Sequence, residues 1–94
     1  MDPKTAAQDA LIDAATSCPI GVYAHRGGGE YVVFNHSVDE ATLVPLVHYI
    51  SLAKGTRWTR TIANFTEEIG GRPRFWRVRD ATSLQLHFAR SAVR

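Results

Sequence analysis

The chain has 94 residues, which is the size of one domain and too few for two independent cores. Hydrophobic residues make up 45% and charged residues 21% of the sequence, so wholesale disorder is not expected. No apolar run approaches the roughly 20 residues of a membrane-spanning helix. The first residues lack the pattern of a secretory signal, and the single cysteine, Cys18, excludes a disulfide framework. These features predict one cytoplasmic domain over residues 1–94 that does not contact a membrane.

Charge is distributed unevenly along the chain. Residues 1–50 hold two basic and six acidic side chains, a net charge of −4, whereas residues 51–94 hold nine basic and three acidic ones, a net charge of +6. Nine of the eleven basic residues are arginines, whose planar guanidinium pairs with phosphate or carboxylate and stacks on aromatic rings. The basic half is either a solvated face or a surface that binds anions, and composition leaves both interpretations open.

The first segment, residues 1–17, is predicted to be a helix. Asp2 can cap it, Pro3 suits its first turn, and the alanine-rich run that follows contains strong helix formers. Pro19 ends it, because proline cannot continue a helix and disfavours helical angles at Cys18. The apolar stripe of this helix is small, so we expect it to pack weakly on the body or on a second subunit.

The middle of the chain predicts about five short strands separated by glycine turns, since β-branched and aromatic residues are concentrated there. Short antiparallel strands must close or nearly close to remove their edges, which favours a small SH3-like or OB-like barrel over residues 20–79. The fold class expected is therefore mainly β, with an N-terminal helix and a C-terminal segment, residues 80–94, that Ser83 favours as a helix. The predicted strands are 20–25, 30–36, 43–52, 57–62 and 72–79, with a polar loop over 35–42 and a helical turn over 64–68.

An ordered series of residues runs across these strands: Tyr23, His25, Gly28, Tyr31, Val33, Thr42, Leu43, Val47, Tyr49, Gly55, Trp58, Arg60, Phe65, Glu67, Pro73, Arg74 and Phe75. This series resembles DUF1653, a small bacterial family of unknown function. The resemblance runs from Gly21 to Val78 and depends on order and spacing together, since no single element is specific. It implies a compact SH3-type barrel and supplies no mechanism.

Four of the matching residues lie on separate predicted strands or at alternate positions of one strand, and they are the first candidate for a binding site: His25, Tyr49, Trp58 and Arg60. Trp58 and Arg60 project from the same face of a strand, where they could hold an aromatic base and a phosphate together. The alternative is a core tryptophan with Arg60 paired to Glu67 or Glu68. His25 is either a structural histidine bonded to a backbone carbonyl, a ligand donor, or an acid–base group.

A second candidate surface lies on the last strand, where Arg74, Trp76 and Arg77 are added to the predicted ligand-binding residues. Phe75 and Trp76 are neighbours on a strand, so only one of them can face the core. The other is left beside arginines on an accessible face, which is typical of a binding surface.

Other motifs carry weaker signals. Gly27, Gly28 and Gly29 form either a hairpin turn or an anion-binding nest, and no nucleotide-binding fingerprint follows them. The four histidines lack metal-ligand spacing, and no nucleophile–base–acid set is visible, so we expect no metal, no cofactor and no catalytic residues.

These features favour a non-catalytic binding protein for a nucleotide-like phosphorylated small molecule, whether for sensing or for sequestration. The alternatives are a protein–protein adaptor or inhibitor that uses the aromatic and arginine strands, and a nucleic-acid-binding module. A core this small also predicts self-association through the terminal helices.

Overall fold

A computed structural model describes residues 2–91 as one five-stranded antiparallel sheet, a separate two-stranded hairpin and three helices. The sheet has the strand order β4-β3-β2-β1-β7, and β5 pairs with β6. No helix in this part of the chain is long and apolar enough to cross a membrane. The elements are α1 (Pro3–Ser17), β1 (Gly21–His25), β2 (Glu30–Val38), β3 (Pro45–Ser51), β4 (Arg57–Thr61), α2 (Ile62–Phe65), β5 (Glu68–Ile69), β6 (Arg72–Pro73), β7 (Phe75–Arg79) and α3 (Ser83–Ser91).

The predicted closure into a barrel is wrong for the described residues. Strands β4 and β7 lie at opposite edges of the sheet and do not pair with each other. Both faces of the sheet are covered instead, since α1 and the segment around α2 pack on one face and α3 on the other. Two helical layers bury the apolar side chains without closure, so the class is α+β rather than mainly β.

Two of the predicted strands also have different boundaries. Strand β2 runs on to Val38 through a register shift between Val33 and Asn35, so half of the predicted loop is strand. The last predicted strand breaks at Arg74 into β6 and β7. The C-terminal segment is helical over Ser83–Ser91 as predicted, and residues 92–94 lie outside the described part of the chain.

The N-terminal helix begins and ends as predicted. Asp2 Oδ1 accepts a hydrogen bond from the Lys4 amide at 3.1 Å, and Pro3 occupies the first turn. At the other end the Cys18 amide donates to the Ala14 carbonyl at 2.8 Å, after which the chain leaves the helix. Ala14 and Cys18 are buried against the sheet, so α1 contributes small side chains to the core.

The core on the α1 face is built from aromatic rings. Phe65 of α2 stacks on Phe75 of β7 with ring centroids 4.0 Å apart and planes 9° from parallel. Tyr23 and Tyr49 meet the Phe65 ring edge-on, with centroids 5.3 Å and 5.1 Å away. Because these rings come from four elements, they tie α2 and three strands together.

The core on the other face is smaller and aliphatic. Val22, Val32 and Ile50 point away from the aromatic cluster and are covered by Ala89 of α3. Arg57 of β4 donates to the Ala89 carbonyl at 3.0 Å, which joins an edge strand to this helix.

Removing the Phe65 ring tests the aromatic core. Phe65 is 1% exposed, so Phe65→Ala should lower the free energy of unfolding by about 3–5 kcal/mol, the cost of a large cavity. Trp76→Ala is the matched control, because Trp76 is 43% exposed and its loss should cost about 1 kcal/mol at most. Urea unfolding followed by circular dichroism measures both. Equal losses in the two variants would contradict this description of the core.

Candidate functional site

The four residues that the sequence groups as a first binding site lie together. His25, Tyr49, Trp58 and Arg60 line one cleft of about 160 Å³, with Tyr31 and Phe75 completing its wall. We call this the Trp58 cleft. The structure brings the residues together, while the binding of a ligand between them stays a prediction.

Strand register explains how these side chains meet. Trp58 pairs with Tyr49 and Arg60 pairs with Val47 across β3 and β4, so all of them point to the α1 face. His25 pairs with Phe75 across β1 and β7 on the same face. The cleft therefore spans the sheet from one edge strand to the other, above the end of the aromatic core.

Arg60 is held in place by neutral partners. Its Nε donates to the Tyr49 hydroxyl at 2.8 Å, its Nη1 donates to Asn64 Oδ1, and its Cζ lies 5.7 Å from the centre of the Phe75 ring. Among residues 2–91 no carboxylate forms an ion pair with Arg60. The guanidinium is thus oriented but keeps its full positive charge for another partner.

The alternative of a core tryptophan with a paired arginine does not describe this cleft. The Trp58 side chain is 51% exposed, so its ring offers a face to solvent. Of the two suggested partners of Arg60, Glu67 instead contacts Arg74 at 2.6 Å, and Glu68 forms no ion pair with Arg60. Arg74 also donates from Nε to the Asn64 carbonyl at 3.2 Å, which places it directly beside the cleft.

His25 has its ring fixed by the turn that follows β1. Its Nδ1 accepts a hydrogen bond from the Gly27 amide at 2.9 Å, so the neutral imidazole carries its proton on Nε2. Partial burial, followed by the positive charges of Arg60, Arg74 and Arg26, lowers the pKa of His25 below its usual 6.5. His25 is therefore neutral at pH 7 and supplies an N–H donor without a charge.

The other two predicted site residues lie elsewhere. Trp76 pairs with Ala24 on the opposite face of the sheet and is 43% exposed. Of the two neighbouring aromatic residues, Phe75 is therefore the one that is buried in the core. Arg77 donates to the Ile20 carbonyl at 3.0 Å and forms an ion pair with Asp80 at 2.6 Å. Neither side chain lines the Trp58 cleft.

A second depression continues from the cleft. Tyr31 and Trp58 also line a groove of about 280 Å³ that leads to Lys54 and to the glycine turn, and we call it the Lys54 groove. The amides of Gly27 and Gly28 are already bonded to His25 within that turn, which favours the hairpin-turn interpretation over an anion nest. Lys54 was not predicted as a site residue, since a turn lysine carries no signal of its own.

Tyr31, Phe75 and Asn64 are the other site residues that sequence reasoning did not select. Tyr31 and Phe75 belong to the family motif, and strand alternation could have placed both on the face of Tyr49. Asn64 orients Arg60 from a helical turn four residues later, a contact that no strand pattern indicates.

The Trp58 cleft combines aromatic, cationic and imidazole side chains. The cleft offers flat aromatic faces, one oriented cation and a neutral imidazole, and none of its six lining residues is a carboxylate or thiol. Cys18 is buried beneath α1, and burial raises the pKa of its thiol to about 11. Among residues 2–91 no three histidine, cysteine or acidic side chains cluster as metal ligands do.

Comparison with known proteins confirms the predicted family resemblance. A crystal structure of a DUF1653 protein from Bordetella bronchiseptica matches with a TM-score of 0.57 and 27% sequence identity, covering 67% of this chain and 90% of that chain. No family model matches the chain, and neither does any curated protein.

The lowered pKa of His25 predicts how stability depends on pH. The unfolded chain binds a proton near pH 6.5 and the folded chain only at lower pH, so stability should fall as the pH drops below about 6.5. His48, whose pKa is lowered by burial and by His36, acts in the same direction. Urea unfolding at several pH values measures this loss.

An NMR titration of the His25 ring measures the pKa of His25 separately from that of His48. Arg60→Gln should raise the pKa of His25, because one of the nearby positive charges is removed. Arg90→Gln removes a charge from α3 on the far face, where Arg90 donates to the Phe34 carbonyl, and should leave the titration unchanged. A His25 pKa at or above 6.5 in the unmodified protein would contradict the described environment.

Proposed function

We propose that the protein is a non-catalytic binding protein whose Trp58 cleft accepts a nucleotide-like ligand, a flat heterocyclic ring carrying a phosphate. The observation that carries the proposal is the pairing of a half-exposed tryptophan with an oriented arginine that no carboxylate neutralises within residues 2–91. Aromatic stacking recognises a base, and a guanidinium recognises a phosphate.

The role of each side chain in the cleft follows from the N–H donors that Arg60 does not use to hold its own position. A guanidinium has five N–H donors, and Arg60 uses one at Nε and one at Nη1 to hold its position. Its remaining N–H groups are available for phosphate oxygens in a bidentate arrangement. Trp58 supports the ring, and neutral His25 provides one more N–H donor.

The size of the cleft limits what it encloses. Sites that bury a drug-sized molecule have volumes of roughly 300–1,000 Å³. At about 160 Å³ the cleft is large enough for a ring or a phosphate group, and the adjoining Lys54 groove of about 280 Å³ accommodates the rest of a nucleotide. Lys54 then provides a second positive charge for the ligand.

A thermal-shift screen of mono-, di- and cyclic nucleotides tests the proposal. A ligand at 100 times its dissociation constant adds about 2.7 kcal/mol of stability. For a domain of this size, at roughly 4–8 °C per kcal/mol, the melting temperature should rise by more than about 10 °C. If no nucleotide changes the melting temperature, the proposal is wrong and the protein-adaptor alternative gains support.

Two tryptophan substitutions locate the ligand. Trp58→Ala should abolish most of the shift while leaving the free protein within about 1 kcal/mol of its stability, since half of the ring is already exposed. Trp76→Ala is the matched control, a similarly exposed tryptophan outside the cleft, and should keep the full shift for a mononucleotide. The same loss in both variants would place the ligand elsewhere.

We also propose that the chain self-associates, with α1 of one copy meeting α3 of the next. Leu84 and Phe88 of α3 are exposed beside the basic side chain of Arg57, while the outer face of α1 exposes Ile12 between Asp9 and Asp13. Charge and apolar area are therefore complementary between the two helices.

Light scattering at micromolar concentration should give a mass above 10.4 kDa, and Phe88→Glu should return it to the monomer. A monomeric mass in the unmodified protein would overturn this.

A further inference from the structure

The Trp58 cleft has a further cationic side chain on each of two sides. On one side it continues into the Lys54 groove through the shared walls of Tyr31 and Trp58. On the other side it is followed by Arg74, which donates to the carbonyl of the residue that orients Arg60. Pockets for a single small molecule bury most of that molecule's surface. A cleft with a further cation on each of two sides has instead the geometry of a site through which a chain passes.

Four arginines lie between the cleft and the β5–β6 hairpin: the charges of Arg60, Arg74 and Arg26 all act on His25, and Arg26 lines a groove together with Arg72. Arg60 and Arg74 both contact Asn64, one through its side chain and the other through its carbonyl. The Arg74 carbonyl in turn accepts a hydrogen bond from the Arg26 amide at 3.0 Å. The Arg26 guanidinium donates to the carbonyl of Ile69 at 3.2 Å, and Ile69 is paired with Arg72 across the β5–β6 hairpin. We call Arg60, Arg74, Arg26 and Arg72 the arginine band.

The arginine band ends at a second exposed tryptophan. Arg26 and Arg72 line a groove of about 560 Å³ with Gly71, Pro73 and Trp76, which we call the Trp76 groove. Trp76 is 43% exposed there, much as Trp58 is 51% exposed in the cleft. Trp76 faces the opposite side of the sheet from Trp58, so the band passes around the end of the sheet from one accessible indole ring to the other.

Only one of the four arginines in the band is paired with a carboxylate within residues 2–91. Within residues 2–91, Arg60, Arg26 and Arg72 form no ion pair, whereas Arg77 and Arg79, which lie off the band, are paired with Asp80 and Glu30. The acidic side chains nearest the band are Glu67, which pairs with Arg74, and Glu68, which is exposed on the same hairpin. The surface along the band thus carries a net positive charge.

We infer that this surface binds single-stranded nucleic acid, with bases stacked on Trp58 and Trp76 and the intervening phosphates on the arginine band. The inference rests on the proposed function, since it treats the nucleotide in the Trp58 cleft as one unit of the strand. Stacking on aromatic side chains combined with a basic track is how proteins bind single strands without reading their sequence. A duplex keeps its bases stacked on one another, so it cannot offer them to the two indole rings.

The test compares thymidine monophosphate with fluorescein-labelled oligothymidylates of about 3, 6 and 12 nucleotides, chosen to reach the roughly 4–16 nucleotides of known single-strand sites. Fluorescence anisotropy, with unlabelled mononucleotide as competitor, measures the affinities at several salt concentrations. We expect the 12-mer to bind at least ten-fold more tightly than the mononucleotide. With about three phosphates neutralised, the slope of log K against log salt should be about −2, at roughly −0.7 per phosphate.

Two variants distinguish binding along the arginine band from binding in the Trp58 cleft alone. Trp76→Ala should weaken the 12-mer by about five-fold or more and leave the mononucleotide unaffected, because stacking on one aromatic side chain is lost. Arg72→Gln should reduce the size of the salt slope by about 0.7. Arg72 is exposed and outside the core, so it can be replaced without unfolding the chain. Lys4→Gln, the same charge change on exposed α1, is the control and should alter neither quantity.

The outcomes distinguish the two proposals. If the mononucleotide binds in a Trp58-dependent way but longer oligomers bind no more tightly, the single-strand inference is wrong and the proposed function stands. The inference also fails if duplex DNA binds as tightly as the single strand, or if Trp76→Ala leaves oligomer binding unchanged. If neither mononucleotide nor oligomer binds, both proposals are wrong.

Discussion

The stack of Phe65 on Phe75 is the contact on which the rest of the molecule depends. It joins a single helical turn to an edge strand, and Tyr23 and Tyr49 pack edge-on around it from the middle of the sheet. Phe75 also lines the Trp58 cleft, where the Arg60 guanidinium lies over its ring. The Phe75 ring therefore belongs both to the core and to the cleft, and the Arg60 guanidinium is positioned by this ring and by neutral hydrogen bonds rather than by a salt bridge.

Much of this site could be predicted from the sequence because a strand has a period of two residues. Alternation places Trp58 and Arg60 on one face, and the family pattern adds Tyr49 and His25 from other strands. Arg74 is also found beside the cleft. Asn64 could not be found this way, because its contact with Arg60 arises where β4 turns into α2, and no periodicity continues through that junction.

The individual helices and strands could be predicted from the sequence, but whether the sheet closes into a barrel could not. Helix caps, strands and glycine turns are local, and they occur close to where residue types place them. Whether β4 meets β7 depends instead on what covers each face, and the sequence does not say that α3 lies over Val22, Val32 and Ile50. The choice between Phe75 and Trp76 has the same origin, since it is decided by which face receives Phe65 rather than by either residue itself.

The contact between Arg57 and the last turn of α3 couples two parts of the molecule that lie on opposite faces. The Arg57 guanidinium donates from β4 to the carbonyls of Phe88 and Ala89, at 3.5 Å and 3.0 Å. Arg57 directly precedes Trp58 on β4, so one strand residue contacts α3 and the next, which faces the other side of the sheet, lines the cleft. A displacement of α3 that moved Arg57 would therefore also shift the stretch of backbone that carries the indole ring.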